Sequence, residues 1–366
     1  LRGIGAAPFR WLNLSVKTSM PRLSSSASWI PLALIGLAAQ ACSAEPSDAA
    51  GATSLEVRAS GMGTDVSVEG KKSGELGAGL SVRDEKGSPI KAEGLRVQVE
   101  TRTPGGPWRA ASNLVVQHAG RPALDVMLVA DNSGSMEAEL DDIRDAMSGF
   151  ADALIGRARG DRVGVVRVST EAAVLADLTS DKALIDAATA GMYTNQGWTA
   201  LWDGIRLANE TLERRSVEVN GAASCLLGAL PMIITMTDGA DNNSSDEHAT
   251  RYPGDGVDTT LDDLRSLSVN GRSTTLHTVA VGEDADVSAL RELATARQGH
   301  FTHIKNYGAL LNALQAAAAQ LDTIVPVCFQ PAACADSEAR IGVERRDVKG
   351  DMAFTVVKLP DARCAP

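Results

Sequence analysis

The 366-residue sequence has few aromatic side chains, a deficit of positive charge and only five cysteines. Aromatic residues make up 4% of the chain, so we expect cores built from small and aliphatic side chains. The 35 lysines and arginines stand against 46 aspartates and glutamates, which disfavours nucleic-acid binding because phosphate neutralisation needs clustered basic residues. No apolar run reaches the roughly 20 residues that a membrane-spanning helix needs. The remaining composition is that of a globular protein of roughly two or three domains.

Motifs of several common enzyme classes and metal sites are also missing. The sequence contains no GxxxxGK[ST] phosphate-binding loop, no GxSxG hydrolase elbow and no HExxH pair among its five histidines. A phosphatase of the haloacid dehalogenase type would need a second aspartate where Ser133 stands. No CxxC pair occurs, so we do not expect a zinc site.

The N-terminal region has the organisation of an export signal. Arg22 precedes an apolar segment over 30–39, and Ala39-Gln40-Ala41 forms a small-residue cleavage pattern. The apolar segment is too short to span a bilayer. We therefore predict a signal peptide region over 1–41 and a polar linker over 42–54.

Cys42 directly follows the cleavage pattern, as does the lipidated cysteine in the lipobox of bacterial lipoproteins. The similarity is partial, because that family prefers leucine three residues before the cysteine and Ala39 stands there. Cleavage after Ala41 without lipidation is the alternative. Lipidation of Cys42 predicts an exported lipoprotein that is anchored to a membrane of the bacterial cell envelope.

The remaining four cysteines allow two disulfides in an exported protein, with three connectivities. They are Cys225, Cys328, Cys334 and Cys364. The sequence does not select among the three pairings.

Two β-rich segments flank the middle of the chain. Residues 55–118 read as short alternating strands separated by turns, which favours a small antiparallel sandwich. Residues 341–345 and 354–359 alternate around a turn, which predicts a hairpin within a C-terminal extension, 327–366. We expect this hairpin to join the sheet of residues 55–118.

Between these segments, residues 122–326 alternate strands with helices. The apolar run over 125–130 is typical of a buried strand. Further strands are predicted over 162–169, 232–236, 275–281 and 300–304, and helices near 136–155, 181–190, 199–215, 259–267, 286–297 and 306–323. This order predicts an α/β fold, a doubly wound and mostly parallel sheet with a small flanking antiparallel β module.

Polar clusters fall in nearby loops or at the ends of the predicted strands where open α/β sheets bind ligands. They supply two carboxylates and three hydroxyls, from Asp131, Ser133, Ser135, Thr199 and Asp238. Each side chain alone is a common helix N-cap, but together they form an oxygen ligand set for a hard divalent cation. Hydroxyl ligands keep the total ligand charge low, so the ion retains affinity for an outside carboxylate.

This region resembles a von Willebrand factor type A domain, whose metal-ion-dependent adhesion site has the form D-x-S-x-S with a separate T and a separate D. The five residues above fill all five positions. The resemblance implies that Ser133, Ser135 and Thr199 coordinate the ion directly or through water. Asp131 and Asp238 either bind the ion directly or contact the groups that bind it. Mg²⁺, Mn²⁺ and Ca²⁺ all suit these oxygens.

Two features near the predicted site leave alternatives open. Many family members carry Gly-Gly-Thr, whereas Trp198 precedes Thr199 here. Trp198 either lines the ligand face or packs against the following helix. The acidic stretch from Asp241 to Asp263 lacks the ligand spacing of an EF-hand, so we favour a solvated loop around the ligand face over a second cation site.

The resemblance implies a non-enzymatic protein that binds a protein ligand through an Asp or Glu of that ligand on the metal. One alternative is an accessory subunit of a transport or channel assembly. Residues 327–331 are faintly similar to a Tyr-Cys-x-Pro segment in some calcium-activated chloride channel-like proteins. The other alternative is a partner of a cytosolic ATPase, as in metal chelatases, which lipidation of Cys42 would exclude.

Overall fold

The strands form three sheets in the computed structural model, which describes residues 55–66, 72–117, 120–156, 159–193, 197–215, 228–244, 259–347 and 352–360. The strands are β1 (Glu56–Val66), β2 (Lys72–Arg83), β3 (Leu95–Arg102), β4 (Arg109–Ala110), β5 (Ser112–Val116), β6 (Leu124–Asp131), β7 (Arg162–Val168), β8 (Ala172–Thr179), β9 (Leu230–Thr237), β10 (Ser268–Val269), β11 (Arg272–Ser273), β12 (Thr275–Val281), β13 (Phe301–Ile304), β14 (Val325–Gln330), β15 (Glu338–Arg345) and β16 (Met352–Lys358). The helices are α1 (Leu140–Ile155), α2 (Lys182–Ala190), α3 (Leu201–Arg215), α4 (Leu261–Leu264), α5 (Val287–Ala296) and α6 (Leu310–Leu321).

The central sheet has the order β13-β12-β9-β6-β7-β8. Its strands pair in parallel, except that β8 runs antiparallel to β7. Strands β6 and β9 are buried along their whole length, because helices cover both faces of the sheet. Helices α1, α2 and α6 pack on one face, and α3, α4 and α5 pack on the other. The predicted doubly wound, mostly parallel sheet is confirmed.

The two other sheets share one hydrophobic core and form an antiparallel sandwich. One has the order β10-β11-β1-β2-β14-β5 and the other has the order β16-β15-β3-β4. The β15–β16 hairpin pairs with β3 over the whole of Glu338–Arg345. The predicted joining of the C-terminal hairpin to the earlier β segment is therefore confirmed.

Strands β8, β10, β11 and β14 are additions to the predicted elements. Strand β14 inserts between β2 and β5, so the chain re-enters the sandwich directly after α6. Pro326 lies within this strand, and its carbonyl accepts a hydrogen bond from the Gln117 N–H at 2.9 Å. Both ends of the α/β region are thus held at one place in the sandwich.

The sandwich packs against the amino-terminal end of β9, opposite the end that carries the polar cluster. A methyl group on Gly79 of β2 would lie 2.7 Å from Leu230 Cδ1 and 2.6 Å from Ile324 Cγ2. Glycine at this position therefore permits the close approach of β2 to the base of the central sheet.

Several predictions fall on residues outside the described ranges. They concern the signal peptide region, the linker with Cys42, and the cysteines Cys225 and Cys364. Cys328 and Cys334 are both disulfide-bonded, and the connectivity stays a prediction. None of the described helices combines the length and the apolar character needed to cross a membrane.

Candidate metal centre

The fold brings the predicted ligands to the carboxyl end of the central sheet. Asp131 is the last residue of β6, and Asp238 directly follows β9, its parallel neighbour. Ser133 precedes a 3-10 helix over Gly134–Glu139 that leads into α1. Thr199 lies two residues before α3. The site is therefore assembled from three separate connections, which are those that follow β6 and β9 and the one between α2 and α3.

Hydrogen bonds join four of the five predicted ligands in one continuous chain. The Ser133 N–H donates to Asp131 Oδ1 at 2.9 Å. The hydroxyls of Ser133 and Ser135 lie 3.3 Å apart, and Ser135 Oγ donates to Asp238 Oδ1 at 3.1 Å. The D-x-S-x-S turn thus places its two hydroxyls side by side, with that of Ser135 bonded to the carboxylate that follows the neighbouring strand.

Thr199 is held by its main chain. Its N–H donates to Asn242 Oδ1 at 2.7 Å, and its carbonyl accepts from the Asn242 N–H at 3.0 Å. Within the described residues, no hydrogen bond joins the Thr199 hydroxyl to the other four predicted ligands. The loop that follows Asp238 therefore helps to hold Thr199 in place, together with hydrogen bonds from the N–H groups of Trp198 and Ala200 to Thr170 and Ser169.

The two carboxylates lie in an environment that disfavours their charge. Asp131 is fully buried, and burial raises its pKa to about 6, although hydrogen bonds from Ser133 and Thr237 act in the opposite direction. Burial also raises the pKa of Asp238, and the nearby Asp284 adds to this rise. Neither carboxylate forms an ion pair with a lysine or arginine in the described part of the chain. A bound cation would supply the missing positive charge.

The donor set fits a hard cation. In the described ranges, no three His, Cys, Asp or Glu side chains come together as a metal site. The available donors are the two carboxylates and the nearby serine and threonine hydroxyls, all of them oxygens. Mg²⁺, Mn²⁺ and Ca²⁺ bind such oxygens and usually retain water molecules as further ligands.

Sequence reasoning missed two residues that orient the predicted ligands. The Thr237 hydroxyl donates to Asp131 Oδ2 at 2.7 Å and accepts the Gly239 N–H at 3.0 Å. Asn242 holds Thr199, as described above. In the sequence, both are simply polar residues close to a predicted ligand. Such residues are common at strand ends, so this position alone does not indicate a role.

The start of the acidic stretch differs from the expected solvated loop. Asp241 Oδ1 accepts hydrogen bonds from the Trp202 N–H at 3.1 Å and from Ser244 Oγ at 2.5 Å, and burial raises its pKa. This carboxylate bonds to the first turn of α3 instead of facing water. Residues 245–258 of the stretch lie outside the described ranges.

Trp198 is half-buried, and its N–H donates to Thr170 Oγ1 at 3.2 Å. This partial burial fits both a side chain on the ligand face and one packed against α3.

The family model of the von Willebrand factor type A (VWA) domain matches residues 125–317. The chain belongs to this family. VWA domains are typically non-enzymatic modules that bind other proteins. No curated protein matches the sequence.

Several solved structures are similar to this VWA protein. A von Willebrand factor type A protein from Catenulispora acidiphila is 14% identical, with 84% of this chain and 73% of that chain covered and a TM-score of 0.44. The vWF domain of the type V pili tip protein Mfa5 from Porphyromonas gingivalis is 16% identical, with 56% and 96% covered and a TM-score of 0.40. Proximal thread matrix protein 1 from the mussel byssus, solved with a zinc-occupied MIDAS motif, is 20% identical, with 59% and 49% covered and a TM-score of 0.39. At these identities the similarity concerns the fold alone.

Proposed function

We propose that this VWA protein binds a divalent cation and uses it to bind a protein ligand, without catalysing a reaction. The proposed cation ligands are Asp131, Ser133, Ser135, Thr199 and Asp238. The observation that carries the proposal is the buried Asp131 carboxylate, which pairs with no lysine or arginine among the described residues and is hydrogen-bonded into a chain of hydroxyls that ends at Asp238. Such a carboxylate is stable as an anion when a cation accompanies it.

The chemistry of the ligands favours Mg²⁺, with Mn²⁺ and Ca²⁺ as substitutes. Serine and threonine hydroxyls are neutral, so the only negative charges among the ligands are those of the two carboxylates. These two charges balance the charge of a divalent ion without exceeding it. When bound, the ion attracts a further carboxylate. An Asp or Glu side chain of the partner protein is the proposed source of that carboxylate.

The charge around the site makes partner binding depend on the cation. The negative charge of Asp238 repels that of Asp131, and the charge of Asp284 repels that of Asp238. The whole chain carries a net charge of -11. A surplus of carboxylates gathers cations and repels an acidic partner. We therefore expect the partner to bind only after the ion does.

We further propose that the protein acts at the bacterial cell envelope. The signal peptide region over 1–41, the linker over 42–54 and lipidation of Cys42 support this location from the sequence. In this arrangement the lipid holds the N-terminus at the membrane, and the sandwich (55–118 with 327–366) carries the VWA domain (122–326). Palmitate labelling of the wild type and of Cys42→Ser tests the anchor, and equal labelling of both would contradict it.

The test of the proposed function is the double variant Ser133→Ala, Ser135→Ala. Both changes remove a hydroxyl, so we expect loss of Mg²⁺ and Mn²⁺ binding in isothermal titration calorimetry and loss of EDTA-sensitive partner capture from envelope extracts. Ser148→Ala is a matched control, because Ser148 donates to Asp186 Oδ1 at 2.7 Å, on α1 and away from the site. Circular dichroism should show an unchanged fold in all variants.

Two outcomes would overturn the proposed function. One is a folded wild type that binds none of the three ions. The other is partner capture that survives both the double variant and EDTA.

A further inference from the structure

The loop of residues 241–244, here called the clamp loop, is hydrogen-bonded to the segment that carries Thr199. Asn242 contacts the Thr199 main chain on both sides. Its side-chain oxygen accepts the Thr199 N–H at 2.7 Å, and its own N–H donates to the Thr199 carbonyl at 3.0 Å. These two bonds close a small ring that fixes the position of Thr199 relative to the clamp loop.

The neighbours of Asn242 bond to other parts of the site. Asp241 accepts the Trp202 N–H, and Ser244 Oγ accepts the Asp203 N–H at 3.1 Å, so both hold the first turn of α3. The Asn243 side chain donates to the Thr170 carbonyl at 2.7 Å, after the end of β7. Of the four clamp-loop residues, only Asn242 bonds to Thr199 in the described structure.

Thr199 depends on this support more than the other predicted ligands do. Asp131, Ser133, Ser135 and Asp238 orient one another through hydrogen bonds. The Thr199 hydroxyl takes no part in that chain, so its place at the site follows from its main chain. The clamp loop begins three residues after Asp238, so Asn242 couples the segments of two predicted ligands.

We propose that Asn242 is a positioning residue that holds the Thr199 hydroxyl at the cation. The inference rests on the proposed function, because it concerns the same cation. Groups that orient metal ligands typically contribute about 10–100-fold to metal affinity. We assign Asn242 an effect at the lower end of this range, because Thr199 is one of five predicted ligands.

The direct test is a double-mutant cycle on the full chain, with MgCl₂ and MnCl₂ as titrants in isothermal titration calorimetry. We expect Asn242→Ala to weaken cation binding about 10-fold. If Asn242 acts through Thr199, the same change in a Thr199→Ala background should have no further effect. Additive losses in the cycle would overturn the inference.

Two further variants separate positioning from general loosening of the loop. Asn242→Asp retains an oxygen that accepts the Thr199 N–H, so it should restore most of the affinity. Asn243→Ala removes a buried hydrogen bond of similar length from the same loop, and it should lower stability while changing cation affinity little. An equal loss of affinity in Asn242→Ala and Asn243→Ala would contradict the positioning role.

A measurement without metal completes the test. Amide hydrogen exchange at Thr199 should accelerate in Asn242→Ala and stay slow in Asn242→Asp, because the N–H bond is lost only in the first. Unchanged exchange in Asn242→Ala would overturn the inference alone. A wild type that binds none of Mg²⁺, Mn²⁺ and Ca²⁺ would overturn the proposed function and the inference with it, whatever the exchange rates show.

Discussion

The Asp131 carboxylate is fully buried, and no lysine or arginine among the described residues pairs with it. Its pKa of about 6 in the folded chain exceeds the ordinary value of 3.8 because burial disfavours the charge. The folded state therefore holds this proton more tightly than the unfolded state does. As the pH rises from about 4 to about 6, the metal-free protein should lose stability through this group, with the full loss above pH 6.

Asp131→Asn should thus stabilise the metal-free protein at pH 7 by on the order of 2–3 kcal/mol. The gain should be below about 1 kcal/mol at pH 4, because the folded Asp131 is then protonated and the unfolded one is only about half ionised. Urea denaturation in EDTA between pH 4 and pH 8 measures it. Mg²⁺ should stabilise the wild type and leave the variant unchanged. A variant that is less stable than the wild type at pH 7 would show that the buried charge is compensated within the chain.

Asp238→Asn is the comparison at the same site. Asp238 is half-buried, and the rise in its pKa has the same cause. Water screens part of the Asp238 charge. In EDTA, Asp238→Asn should therefore raise the stability of the protein by less than Asp131→Asn does.

At the level of elements, Gly204 lets helix α3 pack directly on two valines of the central sheet. A methyl group at Gly204 would lie 2.3 Å from Val168 Cγ2 and 3.2 Å from Val129 Cγ1. Both valines belong to buried strands, and their branched side chains have little rotamer freedom. The helix begins two residues after Thr199, so its distance from the sheet also affects the candidate site.

Gly204→Ala should destabilise the protein by about 1–3 kcal/mol, although alanine is the better helix former. Gly149→Ala in α1 is the matched control, because its methyl group would meet only the end of the flexible Leu311 side chain, at 2.6 Å from Cδ1. We expect this control to be close to neutral. Urea denaturation compares the two variants, and equal losses of stability would contradict the argument from valine rigidity.

The sequence is sufficient to predict the strands and helices that are defined by their own pattern of apolar residues. Strands β6 and β9 are mainly apolar, β12 mixes apolar residues with threonine and histidine, and the helices of the α/β region fall close to where apolar periodicity places them. Strand β8 was missed because its Ala- and Leu-rich sequence has no strand pattern, and it forms by antiparallel pairing with β7. Strand β14 was missed because it is short, contains Pro326 and depends on partners distant in sequence.

The candidate site shows the same limit. The five predicted ligands follow from residue type, spacing and order along the chain. The bonds from Thr237 to Asp131 and from Asn242 to Thr199 depend on loop conformations that no local pattern specifies.

At the scale of the whole molecule, two buried histidines lie where the central sheet meets the sandwich. The rings of His277 and His300 are 5.5 Å apart, and His300 Nε2 lies 3.5 Å from Ser81 Oγ of β2. Burial, reinforced by the nearby Arg83 and Arg58, lowers the pKa of His277 to about 4, and burial with His277 lowers that of His300 to about 2. Both histidines are therefore neutral in the folded protein at neutral pH.

This junction should make the protein sensitive to acid. Unfolded histidine has a pKa of about 6.5, so the unfolded chain takes up protons first as the pH falls. The stability that neutral His277 contributes is complete above pH 6.5 and is lost towards pH 4, by about 3 kcal/mol in total. Urea denaturation between pH 4.5 and pH 7.5 should show this decline.

His277→Asn provides the control for the histidine effect. The His277 Nδ1 accepts the His300 N–H at 3.2 Å, and an asparagine oxygen can take over this bond without titrating. The decline between pH 6.5 and pH 4.5 should be shallower in the variant. An identical slope in both proteins would assign the acid sensitivity to other groups.

The insertion of β14 between β2 and β5 has a consequence for the order of folding during synthesis. Strands β1 and β2 leave the ribosome early, but their sheet lacks β14 until the whole α/β region has been made. The α/β region has been synthesised completely before that point, so we expect it to fold before β14 joins the sandwich. Until then the β2 and β5 edges that receive β14 stay unpaired, and exposed strand edges are sites of aggregation. The nascent chain should therefore be most vulnerable just before residues 325–330 emerge.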